Sequence, residues 1–300
     1  MLDNKIEWNF WRFMKDTYKA QRKRNMFKLS HLKPFELSRS GIELYKKCKR
    51  CFYLDRRCGT KQPPMYAYTL NNAVDELLKK EFDQHRIDGT RHSILIKNAI
   101  DAIPFNHPKI NYWRSVPKRG ISFVHEITNF FVWGAIDDVW INDKGDLIIV
   151  DYKATSSKSE VEITSRESYK RQLEVYQWIF RKNGFTVSDT CYFFYCNGDT
   201  SADNLGSALS FKISVLPHKG DDSWVEPTLF EIKECLSQNI IPEAANDCNY
   251  CNYWKAVEKH INDFNIIKKV TSLYQEPINV DCFGYTDRTK QRQLFKEGNL

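Results

Sequence analysis

The segment Leu147-Ile-Ile-Val-Asp-Tyr-Lys153 constrains the fold of this chain more than any other feature. Its four consecutive apolar residues predict a buried strand. A carboxylate that directly follows such a strand is costly unless another group compensates its charge. Because residues i and i+2 of a strand point to the same face, Asp151 and Lys153 should lie side by side. The pair indicates either a structural ion pair at a strand end or part of a charged functional site.

A second acid, Asp137, lies one predicted hairpin upstream of Asp151. Segments rich in β-branched and aromatic residues predict strands at Ile121–Glu126, Phe130–Trp140 and Leu147–Tyr152. The turn signal at 142–145 predicts that the last two strands pair, which brings both carboxylates to one end of the sheet. A divalent cation relieves the repulsion between two such carboxylates, and oxygen ligands suit Mg²⁺ or Mn²⁺.

Lys153 adds a positive charge beside these two acids. Its ammonium would orient a metal-activated water and offset negative charge in a phosphoryl transition state. An isolated Asp-x-Lys is short and common, and alone it favours a structural ion pair. Two neighbouring motifs favour a catalytic site instead. One is Gly134-x-x-Asp137, and the other is Gln172-x-x-x-Tyr176, whose ends share one face of the predicted helix Glu167–Arg181.

The three motifs in this order resemble the RecB-type branch of the PD-(D/E)XK nuclease superfamily, which includes AddB-type nucleases and CRISPR-associated RecB-like exonucleases. The resemblance covers residues 37–256 and is strongest across 121–196. It implies an α/β restriction-endonuclease-like core with a mixed central sheet flanked by helices. It also implies that Asp137 and Asp151 bind metal and that Lys153 activates the nucleophile. Gln172 and Tyr176 would support the site or contact DNA.

One departure from the family pattern concerns the helix before the sheet, which usually carries a histidine in a Gly-x-x-x-His setting. The matching stretch here is Asn71-Asn-Ala-Val-Asp75 on the predicted helix 71–83, with Asp75 where histidine is expected. Aspartate is a suitable Mg²⁺ ligand, so Asp75 is a third candidate metal ligand. Two alternatives are a weakened enzyme and a merely polar helix residue. Glu126 is a less favoured further ligand.

Two Cys-x-x-Cys pairs, Cys48/Cys51 and Cys248/Cys251, stand near the two ends of the matching region. Many relatives hold an iron–sulfur cluster with one early and three late cysteines, whereas this chain lacks the third late one. Two such pairs would make a four-thiolate site for Zn²⁺ or a 4Fe-4S cluster if the fold joins them. The alternative is that these cysteines hold no metal. Cys58 and His260 are reserve ligands.

The charge of this 300-residue chain is unevenly distributed. The net charge is +7, and residues 19–33 contain six Lys or Arg and no acid. Such a stretch would attract a polyanion, although a solvated basic surface explains it equally well. The segment Trp8–Tyr18 has helical apolar spacing. These patterns predict a basic and aromatic helical N-terminal extension at 1–36, a nuclease core at 37–256 and a C-terminal extension at 257–300.

The sequence predicts a metal-dependent nuclease that hydrolyses DNA, either single strands or duplex ends. No apolar run is long enough to span a bilayer and no signal-peptide pattern is present, so a cytoplasmic location is expected. DNA repair, recombination or phage defence follows from the resemblance, as does a protein partner such as a helicase or repair complex. Two rival functions stay open. One is a nuclease fold that grips nucleic acid without cutting it, and the other is a structural metalloprotein scaffold.

Overall fold

The computed structural model describes residues 21–63, 69–157, 166–201, 204 and 208–274, and the predicted helix Trp8–Tyr18 lies outside them. The strands in the described residues are β1 (Phe35–Ser38), β2 (Ala102–Pro104), β3 (Ile121–His125), β4 (Phe130–Gly134), β5 (Asp138–Asn142), β6 (Leu147–Thr155), β7 (Thr190–Gly198) and β8 (Phe211–Lys219). The helices are α1 (Arg39–Lys47), α2 (Lys49–Tyr53), α3 (Thr69–Asp88), α4 (Ser93–Lys97), α5 (Ile110–Trp113), α6 (Glu167–Lys182), α7 (Val225–Ser237) and α8 (Asn249–Tyr274), with a π-helical turn at Leu54–Cys58.

The chain divides into two compact units, residues 1–245 and 246–300. The strands and helices α1 to α7 belong to the first unit, and α8 belongs to the second. None of the helices in the described part of the chain combines the length and apolar character that crossing a bilayer requires.

The strands of the first unit form two mixed sheets. The smaller sheet has the order β1-β4-β3, in which β1 runs parallel and β3 antiparallel to β4. The larger sheet has the order β2-β5-β6-β7-β8, and its central strands β6 and β7 are parallel. The predicted hairpin is confirmed, since β5 and β6 pair antiparallel with Asp138 opposite Val150. This mixed architecture with flanking helices matches the predicted fold class.

The first four residues of strand β6, Leu147 to Val150, are all apolar because both faces of the strand are buried there. Leu147 and Ile149 belong to the core cluster that contains buried residues of α6. Ile148 and Val150 belong to the second cluster, which contains buried residues of α3. The two-residue period of a strand therefore sends alternate side chains towards α6 and α3. Asp151 continues the α6-facing set.

The predicted single strand Phe130–Trp140 is instead two strands that belong to different sheets. Strand β4 ends at Gly134 and β5 begins at Asp138, with a bend at residues 135–137. The sequence pattern is continuous because both strands are apolar and aromatic. The interruption follows from tertiary packing, since the chain leaves the small sheet and joins the large one at this point. The bend is where Asp137 lies.

Candidate active site

The two acids predicted as metal ligands meet at the base of the β5–β6 hairpin. Asp137 lies in the bend before β5, and its Oδ2 accepts a hydrogen bond of 2.9 Å from the backbone N–H of Tyr152. Asp151 lies in β6 and is only 1% exposed. Burial raises the pKa of Asp151 to about 7, the Lys153 ammonium opposes this rise, and the nearby Asp137 carboxylate adds to it. The two carboxylates are therefore close enough to repel each other.

The Asp151 carboxylate has a partner on each oxygen. Gln172 Nε2 on α6 donates a hydrogen bond of 2.6 Å to Oδ1, and Lys153 Nζ forms an ion pair with Oδ2. The Lys153 ammonium also lies over the ring of Tyr169, 4.8 Å from its centroid. Burial lowers the pKa of Lys153, but the attraction of Asp151 and Asp137 outweighs burial and raises it overall. Lys153 therefore remains a cation held between β6 and α6.

Asp75 on helix α3 is linked to Asp137 by Lys79, a residue that the sequence analysis did not identify. Lys79 Nζ lies 2.7 Å from Asp75 Oδ2 and 3.8 Å from Asp137 Oδ1. Burial and the Asp137 charge both raise the pKa of Asp75. The start of α3 is tied to β6, since Asn71 Nδ2 donates to the Ala154 carbonyl at 3.1 Å. The four-residue spacing of Asp75 and Lys79 is the signal that would have revealed this ion pair.

The glycine of the Gly-x-x-Asp motif makes room for an aromatic ring. A Cβ on Gly134 would lie 2.4 Å from Cε1 of Tyr176, well inside van der Waals contact. The Tyr176 hydroxyl donates a hydrogen bond of 2.6 Å to the Ala135 carbonyl, in the bend that carries Asp137. Tyr176 thus holds the bend from α6. Whether Tyr176 supports the site or contacts DNA stays a prediction.

A buried charge cluster, also missed from sequence, surrounds the next acid, Asp138. Its side chain is fully buried, and Oδ1 accepts hydrogen bonds from Arg86 Nη2 and Arg114 Nη2 at 2.5 and 2.8 Å. Oδ2 accepts one from the Tyr152 hydroxyl at 2.7 Å. Arg114 Nε also donates to the Asp137 carbonyl at 2.9 Å. Asp138 therefore anchors the backbone on which Asp137 stands.

Glu126, the less favoured ligand, lies away from these residues. It is exposed in the turn between β3 and β4, whereas Asp137 follows the other end of β4. The oxygen donors near the hairpin base are thus the carboxylates of Asp75, Asp137 and Asp151. Carboxylate oxygens are the ligand type that Mg²⁺ and Mn²⁺ prefer, so this set fits such a cation.

The early cysteine pair stands at a helix start in the first unit. Cys48 directly precedes α2, and Cys51 lies in its first turn. Both side chains are buried, at 2% and 6% exposure. Cys58, a reserve ligand, is exposed.

The late pair repeats this placement in the second unit. Cys248 directly precedes α8, Cys251 lies in its first turn, and both are buried. The Cys248 carbonyl accepts the first helical hydrogen bond from Asn252 N at 2.9 Å. His260 is exposed on α8. Each pair therefore presents two buried sulfurs one helical turn apart, a spacing that metal sites use.

A comparison with models of protein families shows the family of this chain. The family model of the PD-(D/E)XK nuclease superfamily matches residues 67–256, which is more than half of the chain. The chain therefore belongs to the PD-(D/E)XK nuclease superfamily. Among solved structures, the crystal structure of SSO0001 is similar at 15% identity with a TM-score of 0.32, covering 70% of this chain and 81% of that one. No curated protein is similar enough in sequence to match.

Proposed function

We propose that this protein is a metal-dependent nuclease of the RecB-type branch that hydrolyses phosphodiester bonds in DNA. The observation that carries the proposal is the meeting of Asp137, Asp151 and Lys153 at the base of one hairpin. Two repelling carboxylates and a retained ammonium form an arrangement that suits a cation and a phosphate. Residues 37–256 would form the nuclease core, and the cytoplasm would be its location.

Asp137 and Asp151 would hold the divalent cation, with Asp75 as a third ligand. When bound, the cation would acidify the attacking water and polarise the phosphoryl oxygen. Binding would require the Lys79 ammonium to give way at Asp75 and Asp137, because it forms ion pairs with both carboxylates. Replacement of the Lys79 ammonium by the divalent cation would keep the negative charge of the acids compensated.

The protein's own groups would then orient the reacting atoms. Lys153 would hold the nucleophilic water by a hydrogen bond and offset negative charge as it develops on the phosphate. Gln172 would keep the Asp151 carboxylate in one orientation through its hydrogen bond to Oδ1. Tyr176 would keep the Asp137 bend in place through the Ala135 carbonyl. These fixed partners reduce the reorganisation needed in the transition state.

The competing function is a nuclease fold that binds nucleic acid without cutting it. The observation in its favour is Asp75, which stands where the family has histidine and is ion-paired with Lys79. The intact Asp137, Asp151 and Lys153 favour the enzyme. A role in DNA repair, recombination or defence, and a helicase or repair complex as partner, belong to the proposal through the resemblance alone.

The decisive experiment is degradation of linear duplex and single-stranded DNA in Mn²⁺ by the wild type and Lys153→Ala. We expect the substitution to lower the cleavage rate by about 10²–10³-fold, because one group that stabilises transition-state charge is lost. Lys144→Ala is the matched control, since Lys144 is an exposed lysine in the turn of the same hairpin. If neither wild type nor variant cuts while both bind DNA, the binding module is the correct function.

We also propose that Cys48, Cys51, Cys248 and Cys251 together bind one zinc ion or one 4Fe-4S cluster with a structural role. The support is the repeated Cys-x-x-Cys spacing and the burial of each pair at the start of a helix. Thiolates are the preferred ligands of both groups. The missing third late cysteine of the family pattern would be replaced by the second early one.

Purified protein is expected to contain one such metal group per chain, and Cys51→Ser should lose most of it. Metal analysis combined with a visible absorbance spectrum identifies the group, because zinc is colourless and iron–sulfur is brown. Cys235→Ser, at a half-buried cysteine of α7, is the control and should retain the metal. Equal metal content in wild type, Cys51→Ser and Cys248→Ser would contradict the proposal.

A further inference from the structure

A cavity of about 320 Å³ opens beside the first residues of β1 and β4, in the first unit. Four lysines, Lys23, Lys28, Lys33 and Lys233, contribute to its lining together with His31. Among the described residues that line it, none is an aspartate or glutamate. The cavity is therefore lined by one sign of charge.

The four lysines of this cavity also lack acidic partners among the described residues. Lys79 and Lys153 at the candidate active site pair with aspartates, whereas no ion pair joins a cavity lysine to an acid in the part of the chain that the structure describes. Lys233 Nζ instead lies over the rings of Phe27 and Phe130, 5.2 and 5.8 Å from their centroids. Clustered ammonium groups without counter-charges create a local positive potential that favours an anionic ligand.

The loop that forms the cavity has a defined backbone. Asn25 and Asn129 adopt left-handed conformations, with φ of 53° and 55°. Asn25 Nδ2 donates to the Glu36 carbonyl at 2.8 Å, and Asn129 Nδ2 donates to the Leu32 carbonyl at 3.3 Å. Two asparagines thus fasten the lysine-bearing segment at both of its ends. The lysines of this segment therefore stand on a backbone that hydrogen bonds hold in place.

The position of the cavity selects among phosphate-bearing ligands. Asn129 lies just before β4 and Asp137 just after it, so the cavity and the hairpin base lie at opposite ends of this strand. Strand β4 alone extends over about 13 Å, and the eight residue steps from Asn129 to Asp137 span at most about 26 Å. A mononucleotide is too small to reach both places, whereas a polynucleotide carries phosphates at regular intervals over such a distance.

We propose that this cavity binds backbone phosphates of the same polynucleotide that is cut at the hairpin base. The inference rests on the proposed nuclease function and extends it with a second contact region. Residues 23–33 precede the 67–256 match, so the family assignment does not supply this site. The contact would be independent of base sequence, because lysine contacts phosphate as a point charge.

The test compares two triple variants in DNA binding without divalent cation. The cavity variant is Lys23→Gln/Lys28→Gln/Lys33→Gln, and the control is Lys97→Gln/Lys144→Gln/Lys219→Gln. All six lysines are exposed, so both variants remove equal charge without disturbing the core. For a single strand of about 30 nucleotides, we expect the cavity variant to bind about tenfold or more weakly. Its slope of log affinity against log salt should fall by about two, and the control should stay near wild type.

Each result decides the proposal. Equal losses in the two triple variants would overturn it, because general charge would then explain binding. Binding of thymidine monophosphate as tight as that of the long strand, and lost in the cavity variant, would also overturn it in favour of a free nucleotide. If the wild type does not cleave DNA but binds the strand more tightly than the cavity variant does, the proposed nuclease function is wrong and the cavity proposal stands. If the wild type cleaves DNA and the cavity variant binds the strand as tightly as the wild type, the nuclease function stands and the cavity proposal is wrong.

Discussion

Asp138→Ala is expected to lower the free energy of unfolding by about 3–5 kcal/mol. The substitution removes the buried carboxylate from the Arg86 and Arg114 guanidinium groups, whose side chains are 4% and 8% exposed, and leaves them Asp83, which is 36% exposed, as their remaining shared carboxylate. The Tyr152 hydroxyl loses its acceptor as well. Two buried guanidinium charges then share one partly exposed carboxylate, so much of their desolvation cost is no longer compensated. Urea unfolding, with the m-value compared between variants, measures the effect.

The neighbouring acid provides the matched control. Asp137→Ala should change the free energy of unfolding by about 1 kcal/mol or less, since Asp137 is 23% exposed and loses one backbone hydrogen bond. Its loss should instead abolish cleavage. Two adjacent aspartates would thus separate into one that stabilises the fold and one that serves the site. A loss below about 1 kcal/mol for Asp138→Ala would mean that Asp83 alone compensates both guanidinium groups.

Asp151→Asn is expected to abolish DNA cleavage, with a rate loss of about 10³–10⁴-fold or more. The reason is that a cation contributes several kcal/mol to stabilising phosphoryl-transfer charge, and each 1.4 kcal/mol corresponds to about tenfold in rate. Asparagine preserves the volume and the hydrogen bond potential towards Gln172 but removes the negative charge. The measurement is Mn²⁺-dependent cleavage of linear DNA under single-turnover conditions.

A second readout separates loss of cation binding from misfolding. Calorimetric titration with Mn²⁺ should show weakened binding by Asp151→Asn, while its urea unfolding remains cooperative. Asp143→Asn, an exposed acid in the turn of the same hairpin, should match wild type in both assays. Unaltered Mn²⁺ affinity in Asp151→Asn would show that the cation is held elsewhere, and the role assigned to Asp151 would be wrong.

Much of the fold and of the candidate site could be predicted because it depends on short-range pattern. The β5–β6 hairpin follows from the turn signal at 142–145 between two apolar strands. The helix Glu167–Lys182 follows from the helical spacing of its apolar residues. Asp151 and Lys153 lie together because a strand repeats every two residues. The family match confirms the PD-(D/E)XK nuclease superfamily, and the RecB-type branch stays a proposal. The metal-binding and catalytic roles of these residues stay predictions.

Other features were out of reach because they depend on contacts between distant segments. The break at residues 135–137 is invisible in a continuous apolar pattern, and it arises because the chain changes sheets there. Strands β1 and β8 and the long helix α8 were not predicted either. Lys79 acquires its place beside Asp137 only when α3 packs against β6.

By itself, the sequence determined that a buried apolar run leads into Asp151 and Lys153 and that a second acid stands one hairpin away. The resemblance carried by Gly134-x-x-Asp137 singled out Asp137, but the local pattern gave no physical reason to separate it from the adjacent Asp138. Only the tertiary structure decided between them, since Arg86 and Arg114 come from helix α3 and from the segment after α5 to surround Asp138. The same packing left Asp137 partly exposed beside Asp151. Burial and charge pairing are properties of the assembled chain, and they place Asp138 in a buried charge cluster while Asp137 stays partly exposed.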